Sequence, residues 1–330
     1  MIIQFTVGNY KSIKSPATLN MTAIKPIKEF ESDNVFEDGR YRLLKSAVLY
    51  GANASGKSNF IDGLNFLKWF VINSSKETQV EDEIEVEPFL LDELLENQPS
   101  TFEVSFLIDG VKYRYGVELN SKKVGGEYLM KSTKIKEHPL FIRDEEGIEV
   151  FKEFKEGRLL EEKTRENALF LSVVAQFNGP ISGQIIKWFR SYNVISGLLD
   201  HRYEGFTAGL FAKESLKKRI IDLMSYADLG IAEMEVTDFI ISDDTLPKDM
   251  PEELKKSILS ETEGKTGYNI DTFHQKFDKN GKDQGLVRFD FEDQESEGTK
   301  KFFRLAGPVL DTLENGRVLI IDELDSRLRC

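Results

Sequence analysis

GANASGKSNF, Gly51 to Phe60, is the stretch on which the reading of this chain turns. Gly51, Gly56, Lys57 and Ser58 fit the spacing G-x-x-x-x-G-K-[ST]. The apolar run Ala47-Val48-Leu49-Tyr50 precedes it, and Ile61 to Leu67 follows with helical spacing. The predicted order is strand, glycine-bearing loop, helix, which is the context this spacing needs. A chance glycine-rich turn is the alternative, and it would not require that context. Backbone N–H groups must turn inward around anionic oxygens, and glycine allows this without a Cβ clash. A helix opening near Lys57 adds its positive end and its N–H groups. Lys57 is then placed to reach the terminal phosphates of a nucleotide, and Ser58 Oγ to bind Mg2+. The candidate contact residues of this loop are Gly51, Asn53, Ser55, Gly56, Lys57, Ser58 and Asn59.

Two later stretches bear on the same chemistry. In Gln294 to Lys301, a Ser-x-Gly turn at Ser296 and Gly298 opens an apolar helical pattern from Phe302 to Leu313. Such a turn is a second shape that binds phosphate, with Ser296 Oγ and the Gly298 N–H aimed at an anion. It serves equally as a plain N-cap, which needs no ligand. The other stretch is Val318-Leu319-Ile320-Ile321-Asp322-Glu323. Four apolar residues predict a buried parallel strand, and two carboxylates stand at its C-terminal end, where open α/β sheets bind ligands. Asp322 is placed to hold Mg2+, directly or through water, and Glu323 to orient and deprotonate an attacking water. A solvated acidic turn is the alternative.

The order GxxxxGKS, Ser-x-Gly-x-Lys before a helix, apolar strand with Asp-Glu, then Leu-Asp-Ser resembles the ABC-type ATPases of the SMC and RecF group. More closely it resembles the bacterial AAA family ATPases related to the OLD-nuclease ATPase domain and to abortive-infection and anti-phage proteins. Phe5 to Ile13 is similar to that group's opening strand and turn. The resemblance covers residues 1–75 and 285–328, and implies ATP and Mg2+ as ligands and ATP hydrolysis as the activity. It makes Gly51 to Ser58 the Walker A loop, Asp322 the Walker B carboxylate and Glu323 the catalytic glutamate. Ser296, Gly298 and Lys300 fall in the signature motif, and Asp325 in the D-loop. Gln176 corresponds to the Q-loop glutamine that senses Mg2+ and the γ-phosphate. The metal ligands implied are thus Ser58, Asp322 and Gln176, and the catalytic residues Glu323, Lys57 and Gln176.

In that group two heads bind head to tail, so the implied partner is a second copy or another ATPase head. An effector nuclease or toxin and a DNA contact are implied as well. The group continues beyond the D-loop with a helix, a core strand and a switch histidine. Here the chain ends at Cys330, and His138, His201 and His274 all precede Asp322, so the sequence reads as truncated. A hydrolysis-poor, ATP-binding regulatory subunit is therefore the second reading. A small-molecule kinase is a third, and it leaves the turn at Ser296 unexplained.

Composition bounds the rest. With 330 residues and 40% hydrophobic content, the chain can bury a large core. It has one cysteine, no apolar run of membrane-spanning length and no signal-peptide pattern, so the expectation is a cytoplasmic protein without a membrane partner. A net charge of -13 argues against non-specific coating of nucleic acid.

The predicted fold class is α/β: a P-loop NTPase of ABC-ATPase type, its mixed central sheet joined by an antiparallel β-subdomain and a helical lobe. Residues 1–180 form the predicted nucleotide-binding lobe, 181–285 a helical and variable lobe, and 286–330 the signature helix and Walker B strand. Residues 25–42 read as a loop, and a helix is expected over roughly 57–73. The stretch 101–155 reads as an inserted antiparallel sheet, with Asp109-Gly110 as a hairpin turn. Residues 242–285 read as polar and mobile, with one helix near 251–261.

Overall fold

Alternating apolar residues start the first sheet. In a computed structural model of the chain, Ile2–Gly8 forms β1, with Phe5 and Val7 almost wholly buried. The structure describes all residues except 26–28, 78, 133–135, 228–229, 248 and 327–330, so Cys330 lies outside the described residues. The chain divides into two units, Met1–Val194 and Ile195–Cys330.

In the first unit β2 (Ala17–Asn20) pairs antiparallel with β1. A short helix α1 (Glu31–Asn34) and a hairpin, β3 (Val35–Asp38) and β4 (Tyr41–Leu44), follow. The hairpin corrects the expectation of a loop over 25–42. Its turn uses Gly39 at a φ of 58°, where glycine carries no steric cost. The next helices are α2 (Lys57–Asn73), which matches the predicted span, and the short α3 (Glu93–Glu96). Strands β5 (Ser100–Ile108), β6 (Val111–Leu119), β7 (Val124–Ser132), β8 (His138–Asp144) and β9 (Gly147–Val150) complete the sheet.

That sheet has seven strands in the order β2-β1-β5-β6-β7-β8-β9, every neighbouring pair antiparallel. The predicted turn at Asp109-Gly110 is present, both residues having positive φ as a tight hairpin turn requires. The sheet packs on α2 through aromatic pairs: Phe60 with Phe5 at 5.2 Å and Phe66 with Phe102 at 5.1 Å between ring centroids. Leu67, Phe70 and Val71 of α2 are at most 1% exposed. Burial of this kind contributes about 1.5–3 kcal/mol per side chain. Two further helices, α4 (Phe170–Gln176) and α5 (Pro180–Ser191), lead into β10 (Tyr192–Ser196).

Ala47 to Tyr50 does not form the predicted strand. These residues have no regular structure, and Val48, Leu49 and Tyr50 are 69%, 41% and 90% exposed. A strand needs a hydrogen-bonding neighbour, and among the described residues no strand pairs with this stretch.

The second unit contains α6 (Glu204–Leu210), α7 (Glu214–Tyr226), β11 (Ile231–Ile240), α8 (Glu252–Thr262), β12 (Thr266–Phe277) and β13 (Asp283–Asp290). The short α9 (Phe291–Gln294), the long α10 (Glu297–Asn315) and β14 (Val318–Asp322) follow. β11, β12 and β13 form an antiparallel sheet, so much of the stretch read as polar and mobile is regular strand. Met234, Ile270, Phe291, Phe303, Ala306 and Leu310 meet in the core of this unit. β14 pairs with β10, whose last residues open the unit. Val318 to Ile321 are only half-buried, where the sequence predicts a fully buried strand, because a two-stranded ribbon cannot enclose both of its faces.

Candidate functional site

Gly56 is the N-cap of α2, with φ 90° and ψ 9°, a left-handed conformation that suits glycine. It has no side chain to cap the helix, and the first turn of α2 contains no acidic residue. The opening amides and positive end of α2 therefore have no built-in anion. Ala54 is also left-handed, at φ 63°. Gly51 lies so close to Ser55 that a Cβ there would fall 2.6 Å from Ser55 Oγ. Lys57 Nζ donates to the carbonyls of Gly51 at 2.8 Å and Ala52 at 3.0 Å, so the amine lies back over its own loop. Asn53, Ser55 and Ser58 are exposed. A half-buried cation on loop carbonyls, an exposed hydroxyl and an uncapped helix start make a donor set that fits a polyphosphate with its Mg2+.

The turn after β1 leans on the same helix. Asn59 Nδ2 donates to Ser12 Oγ at 2.7 Å, and Asp62 Oδ2 accepts from Tyr10 Oη and Lys11 Nζ, each at 2.7 Å. Burial, and then the bond to Asp62, holds the Tyr10 phenol above its ordinary titration range. Tyr10, Lys11 and Ser12 thus tie the turn after β1 to Asn59 and Asp62 of α2, contacts that the sequence does not reveal.

Gln176 is the last residue of α4 and is exposed. Its helix is fixed at the other end by Glu127, which sequence reasoning missed. Glu127 accepts from the amides of Phe170 at 2.7 Å and Leu171 at 3.0 Å and from Tyr115 Oη at 2.8 Å. Full burial raises its carboxyl above the usual range, although Arg143 and these donors pull the other way.

In the second unit Ser296 is the N-cap of α10. Its Oγ accepts from Thr299 N at 3.1 Å and lies 2.9 Å from Thr299 Oγ1. Glu297 stands in the first turn. Gly298 is half-buried, and Lys300 is buried with its amine on Glu292 O and, at 3.3 Å, on Glu297 Oε1. Ser296 here does what a simple cap does.

β14 ends at Asp322, which is half-buried and whose carbonyl accepts from Gly197 N at 2.8 Å. The chain then turns sharply: Glu323 is exposed and left-handed at φ 55°, and Leu324 and Asp325 are exposed. Lys301 of α10 is fully buried against this turn. Its Nζ donates to Glu323 O at 3.0 Å, to Ser326 Oγ at 2.7 Å and to Ser326 O. The short basic run Lys300-Lys301 reads in sequence as a solvated face, and the structure buries both lysines instead; the available signal was a lysine one turn before Leu305 on the face that α10 buries.

The two units thus carry separate halves of the residue set. Gly51 to Asn59 and Gln176 lie in the first, and Ser296, Gly298, Lys300, Asp322, Glu323 and Asp325 in the second. The chain has a mixed α/β fold, with a sheet and helical regions, and this is consistent with the P-loop NTPase superfamily. Residues 46–328 match the family described as "AAA domain, putative AbiEii toxin, Type IV TA system", and the chain belongs to this family. Membership implies ATP binding and hydrolysis as the general activity. Among solved structures, the chain is similar to the recombination mediator protein RecF-ATPrS of the RecFOR pathway. That match has 13% identity and a TM-score of 0.34, over 98% of this chain and 85% of that one. The RecF-ATP structure of the same pathway matches with 13% identity and a TM-score of 0.32, over 100% and 87%. No curated protein matches. Among the described residues, no helix is long and apolar enough to cross a membrane.

Proposed function

We propose that the chain is an ABC-type ATPase head, in which Mg-ATP joins two copies head to tail and hydrolysis releases them. The switch would control an effector or a DNA-related activity, in phage defence. The observation that carries this reading is the start of α2. It is a glycine-capped, acid-free helix N-terminus beside a half-buried lysine that can exchange loop carbonyls for phosphate oxygens. Gly51, Asn53, Ser55, Gly56, Lys57, Ser58 and Asn59 would hold the triphosphate. Ser58 Oγ and Asp322 would hold Mg2+, with Gln176 sensing it. When bound, Mg2+ would offset the charge on the phosphate oxygens. Glu323 would orient a water and take its proton. Ser296, Gly298 and Lys300, followed by Asp325, would reach the nucleotide of the opposite head.

The family description names a toxin and a Type IV TA system, in keeping with a protein effector or antagonist as partner. A second reading, a binding-only regulatory subunit, gains support from the Thr299 amide being committed to Ser296 Oγ within its own helix rather than open to phosphate. Turnover measured against protein concentration tests the shared site. On our reading, specific activity rises with concentration and S296A removes that rise. Concentration-independent specific activity, unchanged by S296A, would reject it. Single-turnover hydrolysis lost in E323Q would reject the binding-only alternative.

A further inference from the structure

We infer that Lys301 is a positioning residue that locks the catalytic turn after β14 to the helix carrying the Ser296 turn. The inference rests on the nucleotide reading above. A fully buried lysine is costly unless its ammonium finds acceptors. Lys301 finds several on one turn: Glu323 O, Ser326 O and Ser326 Oγ. Ser326 Oγ lies 2.8 Å from Glu323 O and 3.3 Å from Gly197 O, which closes the turn on itself.

The turn needs such a clamp. Glu323 sits at φ 55°, a left-handed conformation that is unfavourable for a non-glycine residue. It persists only where the surroundings dictate it. Gly197 closes the other side, where a Cβ would fall 2.4 Å from Glu323 O and 3.0 Å from Lys301 Nζ. The Glu323 backbone is thus held between α10 and the chain following β10, while its side chain stays exposed. Lys301 lies just past Ser296 and its first-turn neighbours on α10. A shift of that helix start, as on engagement of a nucleotide, would pass through the ammonium to the Glu323 backbone. Lys301 would thereby couple the signature turn to the placement of the catalytic carboxylate without touching nucleotide.

The test uses the full chain as K301M, S326A and the double variant. K301M keeps much of the volume and removes the donors. On this account K301M lowers kcat for Mg-ATP about 100-fold, the scale of a 1 Å misplacement of a reacting group. KM should change less than about threefold, because the interaction lost is not with ground-state substrate. S326A should lower kcat less, and the double variant should be no worse than K301M, the signature of one shared interaction. Amide hydrogen exchange over 323–326 should quicken at least about tenfold in K301M, with α2 unchanged. A kcat within about twofold of wild type, additive losses in the double variant, or unchanged exchange over 323–326 would overturn the inference. If the wild type itself fails to turn over ATP, the ATPase reading falls, while the exchange measurement still decides whether the clamp exists.

Discussion

Two helices of this chain open in turns that look alike in sequence, and they finish with opposite N-termini. α2 begins at Gly56, which offers no side chain, and its first turn has no acid. α10 begins at Ser296, which caps Thr299 N with its own hydroxyl, and it carries Glu297 one residue on. The first keeps its amides for a ligand. The second has already committed the Thr299 amide to Ser296 Oγ, a cap whose loss costs about 0.5–2 kcal/mol, so that amide is not open to an anion. The difference teaches that a helix start becomes an anion site through what is missing from the cap as much as through what is present.

The largest effect should come from Lys57. K57A is expected to lower kcat/KM for Mg-ATP by about 1,000-fold or more, since it removes the charge aimed at the transferred phosphoryl group. Steady-state kinetics would show it, and a loss below tenfold would mean that α2 is no better an anion site than α10. Next, E323Q should lower single-turnover hydrolysis by about 100–1,000-fold while leaving nucleotide affinity intact, because the base acts only in the chemical step. Loss of affinity instead would make Glu323 a structural residue of its left-handed turn.

Ser296 sharpens the contrast. S296A should destabilise the second unit by about 1 kcal/mol in a denaturant titration, as loss of a serine cap does. If stability falls while turnover per chain stays constant at every concentration, the α10 start is a cap alone.

The smallest effect concerns a third helix start, that of α4, whose two amides bind the buried carboxyl of Glu127. Burial raises that carboxyl in the folded chain. Between the ordinary carboxyl value, about 4.3, and the raised folded one, the folded protein holds the proton that the unfolded chain has released. That contribution is fully present below the lower value and is lost as pH rises through the higher one. E127Q removes it, so the excess stability of wild type over E127Q should shrink as pH rises, and a difference in unfolding midpoint that grows with pH would contradict this.

Local chemistry was legible in the sequence wherever one short stretch carries its own instructions. The apolar spacing after Lys57, the Asp109-Gly110 turn and the Ser296 start of α10 each depend on neighbours in the chain, and each appears where the residues predict it. Features that depend on distant partners did not show. Ala47 to Tyr50 reads as a strand, yet among the described residues no strand pairs with it, and Val48 to Tyr50 are exposed. β12 was hidden because much of its length is polar, and its pairing is with β11 and β13. In the candidate site, Gly56, Lys57 and Ser58 announce themselves by spacing. Lys301 and Glu127 act through contacts with residues more than twenty positions away, which no local pattern encodes.

The central claim is that the amides and lysine at the start of α2 take up the phosphates of Mg-ATP. Calorimetric titration of Mg-ATP into the wild-type chain and into K57A tests it most directly. The account expects one nucleotide bound per wild-type chain, with affinity weakened by about 100-fold or more when the charge-assisted contacts of Lys57 are removed. No uptake by wild type at millimolar Mg-ATP, or equal affinity in the two proteins, would contradict it.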